Sequence, residues 1–252
     1  MNRRLIVVGS AALALVGVAC LDMSAPKSGV ASLSPLILPS PSVVVNDVMR
    51  DSTGAPAPLR IIAFDQGGDT LSGVKTTFFV LDPGAHVDDA GLLYGDSLTT
   101  VRIVGEVAGV QTSIVTLTVT ASPDTAINTA PGGDTLHIST DTTRSRSSAL
   151  SLKLQSMSGA PAQGFVVHYQ VVYAPPTAAG ETPAVYIGND ASALSPVDTT
   201  DAAGTASHRY AYLRLKAIAG TPDSVVVEAT VQYKGLAVRG SPLRYVIPVR
   251  LP

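Results

Sequence analysis

Few of the 252 residues have the type and spacing that chemistry requires. The single cysteine, Cys20, has no second thiol to pair with, so a disulfide framework is excluded. No Gly-x-Ser-x-Gly elbow, His-Glu-x-x-His pair or phosphate-cradling Gly-x-x-x-x-Gly-Lys is present. His86, His137, His168 and His208 stand singly, without a second ligand at metal spacing. His168 is expected to point outward, because it alternates with Phe165, Val167 and Tyr169. Asp82, Asp88, Asp89 and Asp96 could gather loop oxygens around a calcium ion, although aspartate is also simply a good turn residue. His208, Tyr210, Tyr212 and Arg214 alternate with Ala211, Leu213 and Leu215, an aromatic and basic stripe that could stack on a sugar or another polymer. The same tyrosines could equally be cross-strand partners or core. An enzyme reading would have to rest on Glu181 and Asp190, the acids of the 174–196 segment. The expectation is a protein that does not catalyse, needs no cofactor and takes no small-molecule substrate.

Composition points the same way. Only 14% of residues are charged and the formal net charge is -2, which excludes a basic nucleic-acid binder and a highly charged disordered chain. With 46% hydrophobic residues, the chain can bury one large core or two cores of roughly 100 residues each.

The N terminus positions Cys20. Arg3 and Arg4 precede an uncharged run over residues 5–19, shorter than the about 20 residues of a membrane span and of the length of a signal h-region. Gly17-Val18-Ala19-Cys20 then resembles the lipobox of bacterial lipoproteins, with Gly17 where that family usually has Leu. The resemblance implies a signal peptide over residues 1–19, cleavage before Cys20 and a thioether-linked diacylglyceride on its sulfur. It also implies a membrane partner reached through the lipid anchor. Leu21, in the place where Asp favours inner-membrane retention, tilts the expected location toward the outer membrane. Residues 20–42, rich in Ser, Pro and Ala, read as a flexible tether reaching at most about 70 Å, with Leu36, Ile37 and Leu38 as a candidate short edge strand.

From Val43 the pattern has period two. Val74, Thr76, Phe78 and Val80 alternate with Lys75, Thr77, Phe79 and Leu81, and Val115, Leu117, Val119 and Ala121 with threonines, as half-buried antiparallel strands do. Turn signals such as Asp51-Ser52-Thr53-Gly54, Gln66-Gly67-Gly68-Asp69 and Asp88-Asp89-Ala90-Gly91 punctuate them, predicting an all-β sandwich. The pattern also repeats. Residues 67–74 match 158–165 at an offset of 91, and Val74, Thr76, Phe78 and Val80 stay in register with Phe165, Val167, Tyr169 and Val171. Further on, residues 113–119 resemble 224–230, so the second copy carries an insertion of roughly 20 residues, placed near 174–196. The expected organisation is a first sandwich over 43–122, a linker over 123–133 and a second sandwich over 134–252.

The second copy's Ser158-Gly159-Ala160-Pro161-Ala162-Gln163-Gly164 and Thr200-Asp201-Ala202-Ala203-Gly204 resemble the turns of bacterial immunoglobulin-like domains of the invasin and intimin type. The first copy has Thr70 in place of the proline. The resemblance implies two tandem antiparallel Ig-like sandwiches serving as spacers or adhesive modules, and carries no catalytic residues. Charge divides unevenly: nine acids and four bases over 43–122, against eight acids and ten bases over 134–252. A mildly basic distal end could meet acidic polysaccharide, or the asymmetry could serve a contact between the copies. The expected function is a lipid-anchored cell-envelope spacer or adhesive module with a protein or polysaccharide ligand. The alternative is a carbohydrate-binding accessory or a periplasmic subunit of an envelope complex.

Overall fold

The computed structural model describes residues 29–132, 134–137, 145–175, 185–190, 193–213 and 223–250. Cys20 and the signal segment lie outside them. Among the described residues there is no helix, and the architecture is the all-β one that the alternation predicts.

One local device recurs five times. In Asp51-Ser52-Thr53-Gly54 the Asp51 Oδ1 accepts the N–H groups of Thr53 and Ala55 at 2.9 and 3.1 Å, and Gly54 takes φ 86°. Asp65 does the same for Gly67 and Asp69, Asp88 for Ala90 and Leu92, and Asp201 for Ala203 and Thr205. In the fifth turn the Ser156 hydroxyl accepts the Ala160 N–H at 3.1 Å. Each closes with a glycine three residues on at φ between 74° and 86°, a backbone state that only glycine adopts freely. A short acceptor at the first position and glycine at the fourth therefore reverse the chain at a fixed register.

The first sandwich is built from ten strands: β1 (Ser32–Leu33), β2 (Ser42–Val44), β3 (Ala63–Phe64), β4 (Thr70–Leu71), β5 (Thr76–Val80), β6 (Ala85–Val87), β7 (Leu93–Gly95), β8 (Thr99–Val107), β9 (Val110–Gln111) and β10 (Val115–Thr120). One sheet runs β1-β3-β4, the facing one β2-β10-β8-β5 with β9 folded back on β8, and β6 and β7 make a hairpin. The second sandwich follows with β11 (Thr125–Asn128), β12 (Leu136–His137), β13 (Leu152–Gln155), β14 (Val166–Tyr173), β15 (Val185–Gly188), β16 (Val197–Thr199), β17 (Thr205–Ala206), β18 (Tyr210–Leu213), β19 (Ser224–Tyr233), β20 (Leu236–Ala237) and β21 (Leu243–Arg250). Its sheets run β11-β13-β17 and β12-β21-β19-β14-β16, with β20 on β19 and a separate β15-β18 pair.

The two large sheets share one wiring. In each, a short strand lies parallel to the last strand, which pairs antiparallel with the longest, which pairs antiparallel with the matched strand β5 or β14. The longest strand ends in a two-residue turn with positive φ at both positions, Ala108-Gly109 in one and Lys234-Gly235 in the other. Period two produces the cores. Val225, Val227, Ala229 and Val231 are fully buried on one face of β19, as are Val101 and Ile103 on β8. Leu36, Val43, Met49, Leu93, Ile103 and Leu117 fill the first core; Leu136, Leu152, Leu154, Val167, Tyr169 and Ile247 fill the second.

Several expectations need correction. The expected tether through residue 42 ends sooner, because Ala31 N–H already donates to Phe64 O at 2.8 Å, Leu36 is buried and Ser42 opens β2. The expected linker 123–133 contains β11, paired with β13. Both errors have one cause. The opening strand of each sandwich pairs first with one sheet and then crosses to the other, so it lacks a constant inner face and shows no alternation. The match of residues 113–119 with 224–230 also fails, since β10 corresponds by pairing to β21 while β19 corresponds to β8. Val-Thr repeats on neighbouring strands look alike to a sequence comparison. The inserted segment does hold a strand, β15, paired with β18.

Candidate functional site

The aromatic stripe does not assemble. Tyr212 is 4% exposed with its hydroxyl buried and, among the described residues, without a hydrogen-bond partner, so its ring is not available to a ligand. Tyr210 is half-buried, edge-on to Tyr212 at 6.5 Å, with the Arg146 guanidinium 4.7 Å above its ring. His208 is exposed and lies 3.5 Å from Asp198, whose carboxylate also accepts the His208 backbone N–H at 2.8 Å. Arg214 lies outside the described residues. Alternation left the choice open here because β18 is buried on both faces: Ala211 and Leu213 belong to the core, and Tyr212 on the opposite face is also buried.

The four acids considered for calcium go separate ways. Asp82 takes the Arg102 guanidinium at 2.8 and 2.9 Å, Asp88 closes its own turn, Asp96 sits 2.9 Å from His86 Nδ1, and Asp89 is exposed. Among the described residues no three His, Cys, Asp or Glu side chains gather at metal distance. His168 points outward on β14 as expected, with Val167 and Tyr169 buried on either side. Tyr169 and Tyr245 are core residues whose hydroxyls donate to the carbonyls of Leu150 and Ser151 at 2.8 and 3.0 Å. Burial pushes both phenols well above the usual range, so they stay neutral ties.

The richest polar cluster lies where the sandwiches meet. Residues 121–124 join β10 to β11, with Ala121 and Pro123 buried. Ser42 Oγ donates to the Gln163 carbonyl at 2.9 Å, and the Gln163 N–H donates to Thr120 Oγ1 at 2.8 Å. Beside them Asp47, its side chain 10% exposed, accepts Arg50 Nε and Nη2 at 3.0 and 2.9 Å from its own sandwich. From the other sandwich it accepts the Tyr233 hydroxyl and lies 3.4 Å from Lys234 Nζ. Burial alone would raise the Asp47 pKa, but hydrogen bonds from Arg50, Tyr233 and the Val48 N–H outweigh it and hold the carboxyl well below the carboxylate range. Burial and the same carboxylate push the Tyr233 phenol up.

Packing closes around this node. Phe165 meets Tyr233 edge-on at 6.0 Å. A Cβ on Gly54 would stand 2.2 Å from Gly235 N, and one on Gly164 would stand 2.5 Å from Ser42 Oγ, so only glycine permits these approaches. A crevice of about 110 Å³ runs along the contact, lined in part by Pro39, Ser40, Arg50, His168, Gln232 and Lys234. Sequence reasoning raised a contact between the copies only through their unequal charge and missed the residues that make it. Their one readable signal is the pair Gly73 and Gly164, matched in the repeat, with an aromatic following only the second.

No known family model and no curated protein matches the chain. Among solved structures, domains 4 and 5 of the S-layer protein SbsC are similar at 16% identity over 88% of this chain and 98% of that one, with a TM-score of 0.32. The Yersinia pseudotuberculosis adhesin InvE is similar at 15% identity, 86% and 58% coverage and a TM-score of 0.36. The Escherichia coli adhesin FdeC follows at 14% identity, 87% and 66% coverage and a TM-score of 0.35. At such scores the all-β sandwich assignment rests on the strand ladders of this chain alone.

Proposed function

We propose that this chain is a non-catalytic, lipid-anchored envelope protein in which two β-sandwiches act as a spacer and binding module. Its units run from about residue 31 to 121 and from 124 to 250, in that order along the chain from Cys20. The observation that carries the reading is the serial junction. The chain enters the first sandwich from the N-terminal side and passes to the second through four residues, 121–124, braced by side chains on both sides. Such a unit transmits position and presents loops and edges. Lipidation at Cys20 supplies the foothold, since each buried acyl methylene contributes about 0.8 kcal/mol and two or more chains hold durably.

Binding by strand addition is the mode the sheets favour, with an extended segment of a partner protein as occupant. In the second sandwich the outer edge of β14 is taken by β16, whose Val197, Asp198 and Thr199 pair antiparallel with His168, Val167 and Val166. Among the described residues no strand ladders onto the same edge of β5, beside which Phe79 and Leu81 are 43% and 44% exposed. A ligand-bound structure with no contact to β5 overturns this mode.

The anchoring is tested by fractionating cells that express the wild-type chain or Cys20→Ala. Wild type is expected in the membrane pellet, resistant to salt and released by detergent, and Cys20→Ala in the soluble fraction or as unprocessed precursor. Unchanged, processed, membrane-bound Cys20→Ala protein contradicts it.

A further inference from the structure

We infer that Asp47 is the clamp of a fixed interface, in which the β19–β20 hairpin of the second sandwich docks on residues 47–54 of the first and holds the two in one orientation. The default for linked domains is relative motion, so a specific restraint has to be identified. Three independent observations supply it.

The first is charge. Both carboxylate oxygens of Asp47 are engaged, by Arg50 from its own sandwich and by Tyr233 and Lys234 from the other. Withdrawing the hairpin exchanges two of the three side-chain partners of this carboxylate for water, at the net cost of a charge-assisted hydrogen bond and an ion pair. The second is backbone proximity. The Gly54 and Gly235 backbones touch, Arg50 Nη1 steadies the Gly54 carbonyl at 2.9 Å, and Gly164 admits Ser42. The Gly54–Gly235 and Gly164–Ser42 approaches bridge the two sandwiches at points far apart in sequence.

The third is the contrast with the other hairpin. The turns match Tyr233 and Lys234 to Val107 and Ala108, and the sequence repeat matches Phe165 to Val74. Phe165 is 9% exposed and Val74 is 36% exposed, and a Cβ on Gly73 would meet nothing within 4 Å. Aromatic, cationic and close-approach features thus occur on the sandwich end that has a neighbour. At the matched positions of the first sandwich, Val107, Ala108 and Val74, none of them occurs, and neither Gly73 nor Gly109 has an atom within 4 Å of an added Cβ. The clamp stands whether or not Cys20 is lipidated.

Limited digestion of the full chain with elastase tests it, read as the cleavage rate within residues 121–124. The double variant Tyr233→Phe/Lys234→Ala keeps the ring packing and leaves Asp47 its Arg50 pair, and Ala108 at φ 50° shows that alanine suits that turn position. Cleavage is expected to accelerate roughly ten-fold in this variant and in Asp47→Asn, yielding two fragments that resist further digestion. An unchanged rate in the double variant, or an equal acceleration at sites inside the sandwiches, overturns the clamp.

Discussion

The two sandwiches share a sheet order and differ at their rims. β2-β10-β8-β5 and β12-β21-β19-β14 are the same ladder, yet β14 has gained β16 on its outer edge, and β15 and β18 form a pair without counterpart in the first sandwich. The hairpin after β8 ends in Ala108 and that after β19 in Lys234. Cores tolerate divergence only within period two and total volume, whereas edges and turns are free to acquire partners. What distinguishes the copies, and so what the chain does with them, sits on edges and ends.

The largest effect comes from the cores and asks whether the copies unfold separately. Leu117→Ala in the first sandwich and Leu152→Ala in the second each remove a side chain exposed 1% or less, at about 2–5 kcal/mol. Calorimetry is expected to show each variant lowering one transition and sparing most of the other. A single transition shifted equally by both would mean that the junction couples the sandwiches completely.

Glycine substitutions sharpen the comparison at the junction. Gly73→Ala and Gly164→Ala place alanine at φ 73° and 78°, so each pays the left-handed penalty of about 1–2 kcal/mol. Only Gly164→Ala also collides with Ser42, adding about 1–3 kcal/mol. Equal losses on chemical denaturation would show that the sandwiches do not press together there.

Acid probes the same place. The folded Asp47 pKa lies below its ordinary 3.8, so the proton binds the unfolded chain first. Its stabilisation is therefore fully present above that ordinary value and drains away as pH falls through it toward the folded value. The melting-temperature gap between wild type and Asp47→Asn is expected to be flat from about pH 7 to 5 and to narrow below about pH 4. A gap independent of pH down to 3 contradicts the ionised clamp. The smallest effect is at the turns: Asp65→Ala and Asp201→Ala each orphan two N–H groups next to solvent, and both are expected to cost about 0.5–2 kcal/mol alike.

Much of this was legible in the sequence for a physical reason. Where a strand keeps one inner face, as β5 and β14 do, alternation gives both the strand and its buried side, and His168 was placed correctly by it. The Asp-x-x-Gly turns were legible because acceptor and glycine are both chemically required. The opening strands were not, since crossing between sheets erases the period over residues 31–44 and 125–137. The choice between stripe and core for Tyr212 was not legible, because a strand buried on both faces has no polar side for alternation to mark. Asp47 gave no signal at all, because its partners Tyr233 and Lys234 lie more than 180 residues away and only the folded chain brings them together.

The most direct test of a fixed pair of sandwiches is the distance between spin labels, one on each, in the full chain carrying Cys20→Ser. Thr116→Cys on β10 and Val246→Cys on β21 offer exposed sites away from the junction. A single narrow distance distribution that broadens in Tyr233→Phe/Lys234→Ala is the predicted result. A broad distribution already present with Tyr233 and Lys234 intact would contradict the account.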